Sequence, residues 1–327
     1  MPVTMRDVAA LAGVSVKTVS RVVNLEPHTR PEVVRRVRAA IAELDWVPNG
    51  SARTLRTGRT GLVAVAVTEL RRPHLAMLGE ALVDEIGRRG LQAAVEPTHG
   101  DPARLRDLLD ARGRIFDGLV LIGDPGEDLL TGLRAQHPVV LVHGGGRGTV
   151  DAVDADLVEA ASLVARHLVV MGRSRPVLLG LDRGAGGVEA MRAALASAGV
   201  TEPAPAIGGV RTRADGADVV DRARRERPDL DTLVCGSDEV ALGALAALAR
   251  DGVAVPDDVA VIGFDDLDDG QFTTPSLTTV DPGPGRLARA AIDLLADRLS
   301  GTAPAEPRRV ISPVELIRRE STLGGMS

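Results

Sequence analysis

The chain's 327 residues are 44% hydrophobic and 26% charged, the balance of a globular chain long enough for two or three folding units. Its net charge of −6 is unevenly divided: residues 1–60 hold ten Lys/Arg against five acids, about +5, and the rest sums to about −11, so only the N-terminal end suits a polyanion. A lone cysteine (Cys235), no His/Cys cluster at metal-ligand spacing, no signal peptide and no apolar run of membrane-spanning length lead us to expect a cytoplasmic protein with no intrachain disulfide, no cofactor and no membrane partner.

Thr4 and Asp7, three residues apart, form an acidic variant of the capping box and predict a helix from Met5, with Val8, Leu11 and Ala12 on one face. Gly13 then supplies a sharp turn, because a residue without Cβ takes positive φ cheaply. Ser15 carries the side-chain oxygen wanted at the N-cap of a second helix. In that helix Val19, Val22 and Val23 point inward, leaving Val16, Lys17, Thr18, Ser20 and Arg21 to face outward. Two short helices joined by a glycine turn are the helix-turn-helix pattern, although taken alone they fit an ordinary helical hairpin as well. Where the pattern binds DNA, the second helix reads the major groove with its N-terminal residues. A third helix is predicted over 31–44, with Val33, Val34, Val37, Ile41 and Leu44 on its apolar face and Thr29 with Glu32 as a capping box. Residues 49–57 are polar and Arg-bearing, too short to be stably helical by themselves in water.

From Leu62 the texture becomes an alternation of apolar runs and amphipathic segments. Strands are predicted over 62–67, 92–95, 118–122 and 139–142, with a helix over 75–89 whose stripe is Leu75, Leu78, Leu82 and Ile86. The alternation resumes with a helix over 155–171, a strand over 176–181, a helix over 188–198, a strand over 232–235, a helix over 239–250 and a strand over 259–262. Continuous apolar strands separated by helices indicate parallel sheets covered on both faces. Some 265 residues of this pattern fit two doubly wound lobes better than one core.

Particular residues carry a closer likeness. Asp7-Val8-Ala9, Ala12-Gly13-Val14-Ser15, Thr18-Val19-Ser20-Arg21 and Asn24, followed by Trp46-Val47-Pro48-Asn49, Ala52-Arg53 and Leu55, resemble the LacI/GalR family of transcriptional regulators. Matches at Gly236-Ser237-Asp238-Glu239-Val240-Ala241-Leu242-Gly243-Ala244, Val261-Ile262-Gly263-Phe264-Asp265-Asp266 and Thr274-Pro275-Ser276-Leu277-Thr278-Thr279-Val280 extend the resemblance over nearly the whole chain. It implies an α/β protein in three parts. These are a three-helix helix-turn-helix headpiece over 1–46, a hinge helix or linker over 47–60, and a two-lobed periplasmic-binding-protein-like core over 61–327. The core would bind an effector between its lobes and carry the homodimer contacts, and a helix over 285–299 would return the chain to the first lobe. The partners implied are double-stranded operator DNA and a small-molecule effector.

Val16, Lys17 and Arg21 are the expected base contacts, since Lys and Arg read guanine and Val16 can touch a thymine methyl. Thr4, Thr18, Ser20 and Asn24 are expected as phosphate contacts or caps, and Asn49, Ala52 and Arg53 as hinge contacts. By the resemblance Leu55 enters the minor groove, where an apolar wedge partly unstacks a base step. For the effector, the resemblance places Asp265 on ligand hydroxyls and Ser237 with Asp238 at the cleft rim; Leu75 and Phe272 are also assigned to the cleft.

The chain departs from the family pattern where the ligand would sit. An Asn-Pro-aromatic-aromatic motif is replaced by Arg72-Pro73-His74-Leu75, a cleft arginine by Gly187, an aromatic by Val210 and an aspartate by His143. The chain has no tyrosine, one tryptophan (Trp46) and three phenylalanines (Phe116, Phe264, Phe272), so stacking platforms for sugars are few. A small polar effector held by His74, His143, Arg183 and Asp265 is the resulting expectation, with a sugar phosphate or other anion included. The glycine-rich stretches 144–148 and 184–187 fit neither the P-loop nor the dinucleotide spacing, and no nucleophile-elbow motif occurs. The chain is therefore read as a regulator, not an enzyme. The alternatives are an architectural DNA-binding protein without effector and, less favoured, an enzyme fused to a headpiece.

Overall fold

The computed structural model describes residues 3–23, 29–47, 58–145, 148–181, 186–200, 202 and 204–323. By internal contacts the chain divides into residues 1–60 and 61–327.

The N-terminal unit holds three helices, α1 (Met5–Ala12), α2 (Val16–Val23) and α3 (Pro31–Glu43). The Asp7 carboxylate accepts from the Thr4 backbone N–H at 2.8 Å and from its hydroxyl at 2.7 Å, which starts α1 where the sequence predicts. Gly13 ends it at φ 61°. Ser15 Oγ accepts from Thr18 N at 3.2 Å and caps α2. Val8, Ala9, Ala12, Val19, Val22, Val37, Ala40 and Trp46 make one small core. Two expectations are corrected. Leu11 is 46% exposed, because the buried arc of α1 passes through Val8, Ala9 and Ala12 and leaves Leu11 at its rim. The N-cap of α3 is Arg30, which makes no side-chain cap bond, so the box anticipated between Thr29 and Glu32 is one residue out of register. Pro31, at the first position, starts that helix instead, its fixed φ already helical.

The second unit contains two six-stranded sheets. The first lobe is built on β1 (Leu62–Val67), β2 (Gln92–Pro97), β3 (Gly118–Ile122), β4 (Val139–Val142), β5 (Asp151–Ala155) and β11 (Arg309–Ser312). Their order is β11-β5-β4-β3-β1-β2, with every neighbour pair parallel. The second lobe uses β6 (Pro176–Leu179), β7 (Ala206–Ile207), β8 (Thr232–Cys235), β9 (Ala260–Phe264), β10 (Thr278–Asp281) and β12 (Glu315–Ile317), in the order β12-β10-β9-β8-β6-β7, with only β12 antiparallel.

Helices α4 (Pro73–Arg88), α5 (Pro102–Ala111), α6 (Glu127–Leu130) and α11 (Pro284–Ser300) serve the first lobe. Helices α7 (Leu157–Val170), α8 (Gly187–Ser197), α9 (Arg213–Glu226) and α10 (Asp238–Arg250) serve the second, with α12 (Glu320–Leu323) closing the described chain. As the resemblance implies, α11 comes back to the first lobe, where Leu287, Ala291, Ile292 and Leu295 pack with Val63, Val65, Val120 and Val140. The chain passes between lobes three times: from β5 into α7, from β10 into α11, and from β11 into β12.

Most elements lie where apolar periodicity puts them, but no strand was expected ahead of the helix over 155–171, where β5 runs Asp-Ala-Val-Asp-Ala and looks polar. The α9–α10 contact had no local signal either. A Cβ on Gly216 would lie 2.2 Å from Val240 O and one on Gly243 1.9 Å from Arg213 O, so these helices cross backbone to backbone where only glycine fits. Cys235 is buried in β8, and burial pushes its thiol well above the ordinary range, as expected of a core residue. No helix among the described residues is long and apolar enough to cross a membrane.

Candidate nucleic-acid interface and inter-lobe cleft

The outward face of α2 is made by the residue pattern that buries its other face. With Val19 and Val22 turned into the core, Val16, Lys17 and Arg21 stand exposed, Val16 at 42%. Thr18 and Ser20 are half-buried beside them. The Thr18 hydroxyl is 2.9 Å from Ser15 Oγ, and the Thr4 hydroxyl donates to Asp7. Thr4 is therefore the cap of α1, while Thr18, inside α2, meets the cap residue Ser15. The same two Thr4 bonds hold the Asp7 carboxyl below its ordinary range. Asn24, Asn49, Ala52, Arg53 and Leu55 lie outside the described residues.

In the second unit three of the anticipated cleft residues converge. His74 sits in the first turn of α4, His143 follows β4, and Asp265 follows β9, so the first two come from one lobe and the third from the other. With Met77, Leu78, Pro282, Pro284 and Leu287 they line a cavity of about 20 Å³, room for about one water molecule. His74 Nδ1 is 3.8 Å from Asp265 Oδ2. Asp265 and Asp266 both hold positive φ, 122° and 51°, conformations that cost roughly 1–3 kcal/mol each and persist only when surroundings impose them. The imposing contacts are Asp265 N to Val280 O at 2.9 Å, Asp266 N to Thr279 Oγ1 at 3.3 Å, and Arg319 Nη2 to Asp266 Oδ1 at 2.7 Å. His143 is likewise in the left-handed region at φ 59°, its N–H donating to Val153 O at 3.0 Å.

Other anticipated residues are not brought into this cavity. Ser237 is the buried N-cap of α10, its Oγ accepting from Val240 N at 3.3 Å. Asp238 is 0% exposed and accepts from Leu267 N at 2.7 Å and Thr279 Oγ1 at 2.6 Å. It holds from behind the loop that presents Asp265, and burial pushes its pKa up to about 6. Leu75 packs in the first lobe's core. Phe272 stands 81% exposed, and Arg183 lies outside the described residues. Position 187 offers no room for a side chain, since a Cβ there would meet Leu181 O at 2.4 Å.

Arg72 is a further cleft residue, one to which the sequence alone assigns no role. Arg72, in the first lobe, donates from Nη1 to Arg211 O at 3.0 Å and to Glu239 Oε2 at 3.3 Å, both in the second lobe. This bridge ties the lobes together across the cleft. Its signal was the departure itself, a cation in place of the expected asparagine; Glu239 adjoins the matched Asp238. A further cavity of about 80 Å³ lies at the C-terminal ends of β1, β2 and β3, lined in part by Thr68, Thr98, Asp101 and Asp124, the strand edge at which open α/β sheets take ligands. Among the described residues no group of three or more His, Cys, Asp or Glu is placed to hold a metal ion.

Comparison with known proteins agrees with this geometry. Residues 4–49 match the model of bacterial regulatory proteins of the lacI family, and residues 165–322 match the periplasmic binding protein-like domain. A solved structure of a LacI-family transcriptional regulator from Sanguibacter keddieii is 35% identical at a TM-score of 0.72, covering 82% of this chain and 100% of that one. The lac repressor dimer bound to operator and an anti-inducer is 25% identical at a TM-score of 0.76, covering 98% and 99%. The HTH-type transcriptional repressor PurR of Haemophilus influenzae is 28% identical over 306 residues, 91% of each chain.

Proposed function

The chain belongs to the LacI family of transcriptional regulators, a family of repressors and not of enzymes, and on that premise we propose that it binds a pseudo-palindromic operator as a homodimer under control of a small polar effector. Dimer symmetry requires matching half-sites, one for each α2. Val16, Lys17 and Arg21 contact base edges, while Thr4, Thr18, Ser20 and Asn24 serve as phosphate contacts or caps. The hinge residues Asn49, Ala52 and Arg53 contact the operator, and Leu55 enters its minor groove. The observation that carries this reading is the exposed row Val16, Lys17 and Arg21 on a helix whose opposite side is buried. The lac repressor dimer, solved on its operator, supports it by likeness.

Selection of binding sites from a random duplex library tests the proposal, with Arg21→Ala as the control. The variant should lose about 1–3 kcal/mol on the selected site and relax one base position. An equal loss on random DNA would make Arg21 a phosphate contact instead.

The effector is assigned to the space between the lobes, on His74, His143 and Asp265, with Arg183 as a further candidate ligand from the sequence. A ligand with unequal affinity for open and closed lobes shifts the population whose hinge segments can order on DNA. The few aromatic residues favour a ligand recognised by hydrogen bonds over a stacked neutral sugar. A specific observation favours a second reading: a cavity of about 20 Å³ admits no sugar unless the lobes part, as a regulator without a small-molecule effector would have it. Thermal unfolding against sugars, sugar phosphates, nucleobases and small acids separates the two. A ligand at about 100 times its dissociation constant adds about 2.7 kcal/mol, and silence across the panel favours the second reading.

A further inference from the structure

The first helix of the headpiece ends without a cation of its own: its last turn holds no basic residue. The final carbonyls of any helix lack intrahelical partners and carry partial negative charge. Two backbone bonds close the turn, Gly13 N to Ala10 O at 3.2 Å and Val14 N to Ala9 O at 3.0 Å. The carbonyls of Ala12 and Gly13 are served instead from α3, where Arg36 Nη2 donates to both, at 3.1 Å for Gly13 O. The guanidinium also lies over the turn glycine, for a Cβ on Gly13 would stand 2.7 Å from Arg36 Nη2. Gly13 is required for its φ of 61°, and its missing Cβ leaves the space into which the Arg36 guanidinium reaches.

We infer that Arg36 is a positioning residue for the DNA-reading helix, and that its charge is spent on the helix-turn-helix turn and not on DNA phosphate. The turn it holds runs directly into Ser15, the N-cap that sets where α2 begins and which way Val16, Lys17 and Arg21 face. Arg36 is one of three arginines in α3, with Arg35 and Arg38, and by charge alone the three are equivalent. Only the geometry separates Arg36 from its neighbours. The inference rests on the reading of α2 as the DNA-contacting helix.

The test is operator and random-duplex binding by the full-length protein over a salt series, for wild type, Arg36→Ala and Arg36→Lys. The expected result for Arg36→Ala is a loss of about tenfold on operator, with random-DNA affinity and the salt slope unchanged. Arg36→Lys should fall between, since an ammonium can still reach a carbonyl. A loss equal on both duplexes, with the slope reduced by about 0.9 per headpiece, would show a phosphate contact and overturn the inference; so would unchanged operator affinity in both variants. Circular dichroism at the assay temperature checks that the headpiece is folded, and if Arg36→Ala is not, Arg36→Lys decides by the same slope and ratio. A wild-type protein without sequence preference would instead remove the reading of α2, and the inference with it.

Discussion

Asp151→Ala should be among the most damaging single substitutions in the core, although the residue lies in neither candidate site. Asp151 opens β5 and is 0% exposed. Its carboxylate takes a two-pronged bond from Arg298 of α11, Nη2 to Oδ1 at 2.6 Å and Nε to Oδ2 at 3.0 Å. It takes two more from Arg308, the backbone N–H at 2.7 Å and Nη2 at 2.8 Å, just before β11. One carboxylate thus joins the start of β5, the last turn of α11 and the entry to β11 within the first lobe. The Arg298 side chain is only 2% exposed, and removing its partner leaves a buried charge uncompensated, which costs about 3–5 kcal/mol. For a unit of this size that is a fall of about 10 °C in the midpoint, read by calorimetry on the full-length protein. The double variant Asp151→Leu/Arg298→Met should recover much of the loss, because an apolar pair of similar volume replaces a buried ion pair at little cost. Burial alone would push the Asp151 pKa up, but the bonds from Arg298 and Arg308 outweigh it and hold the group below its ordinary range. Its contribution is therefore complete above about pH 3.8 and lost as pH falls through the lower folded value. A midpoint shift of under about 3 °C at neutral pH would refute the reasoning, by showing that water reaches Arg298 once the carboxylate is gone.

Three further outcomes follow from the cleft. His74→Ala and His143→Ala should each weaken binding of whatever ligand the thermal panel identifies, by about tenfold per hydrogen bond lost; unchanged affinity in both, by calorimetric titration, would remove the histidines from the site. Arg72→Ala and Glu239→Gln should each let the lobes part, seen as a larger radius of gyration in small-angle scattering of ligand-free protein. Identical profiles for wild type and both variants would mean the bridge holds nothing closed. Asp238 is pushed up to about 6 by burial, so the folded state binds the extra proton between about pH 3.8 and 6. Its ionised form is thus a cost at neutral pH, and acidification from pH 7 to 5 should stabilise wild type relative to Asp238→Asn. Parallel pH profiles of the two midpoints would contradict that.

Where an element answers to its own neighbours in the chain, it was legible. Strands β3, β4 and β8 fall on the residues that their apolar runs mark, because a strand buried on both faces is mostly apolar unless a distant partner compensates its polar groups. The start of α1 at Met5 and the cap at Ser15 are equally local, each made by residues three apart. The cleft was partly legible, since His74 and His143 stood out as departures from the family pattern and do meet with Asp265. What only the tertiary structure decided depends on partners far away in sequence. Strand β5 looks polar because its Asp151 is neutralised by Arg298 and Arg308, 147 and 157 residues on. Arg72 finds Glu239 167 residues away, and Ser237 and Asp238, expected at a rim, are turned inward to hold the loop behind Asp265. Arg36 serves a turn 23 residues before it. Periodicity and capping are properties of adjacent residues and survive in a linear reading. Compensation of a buried charge is a property of whatever the fold brings alongside, and no window of sequence contains it.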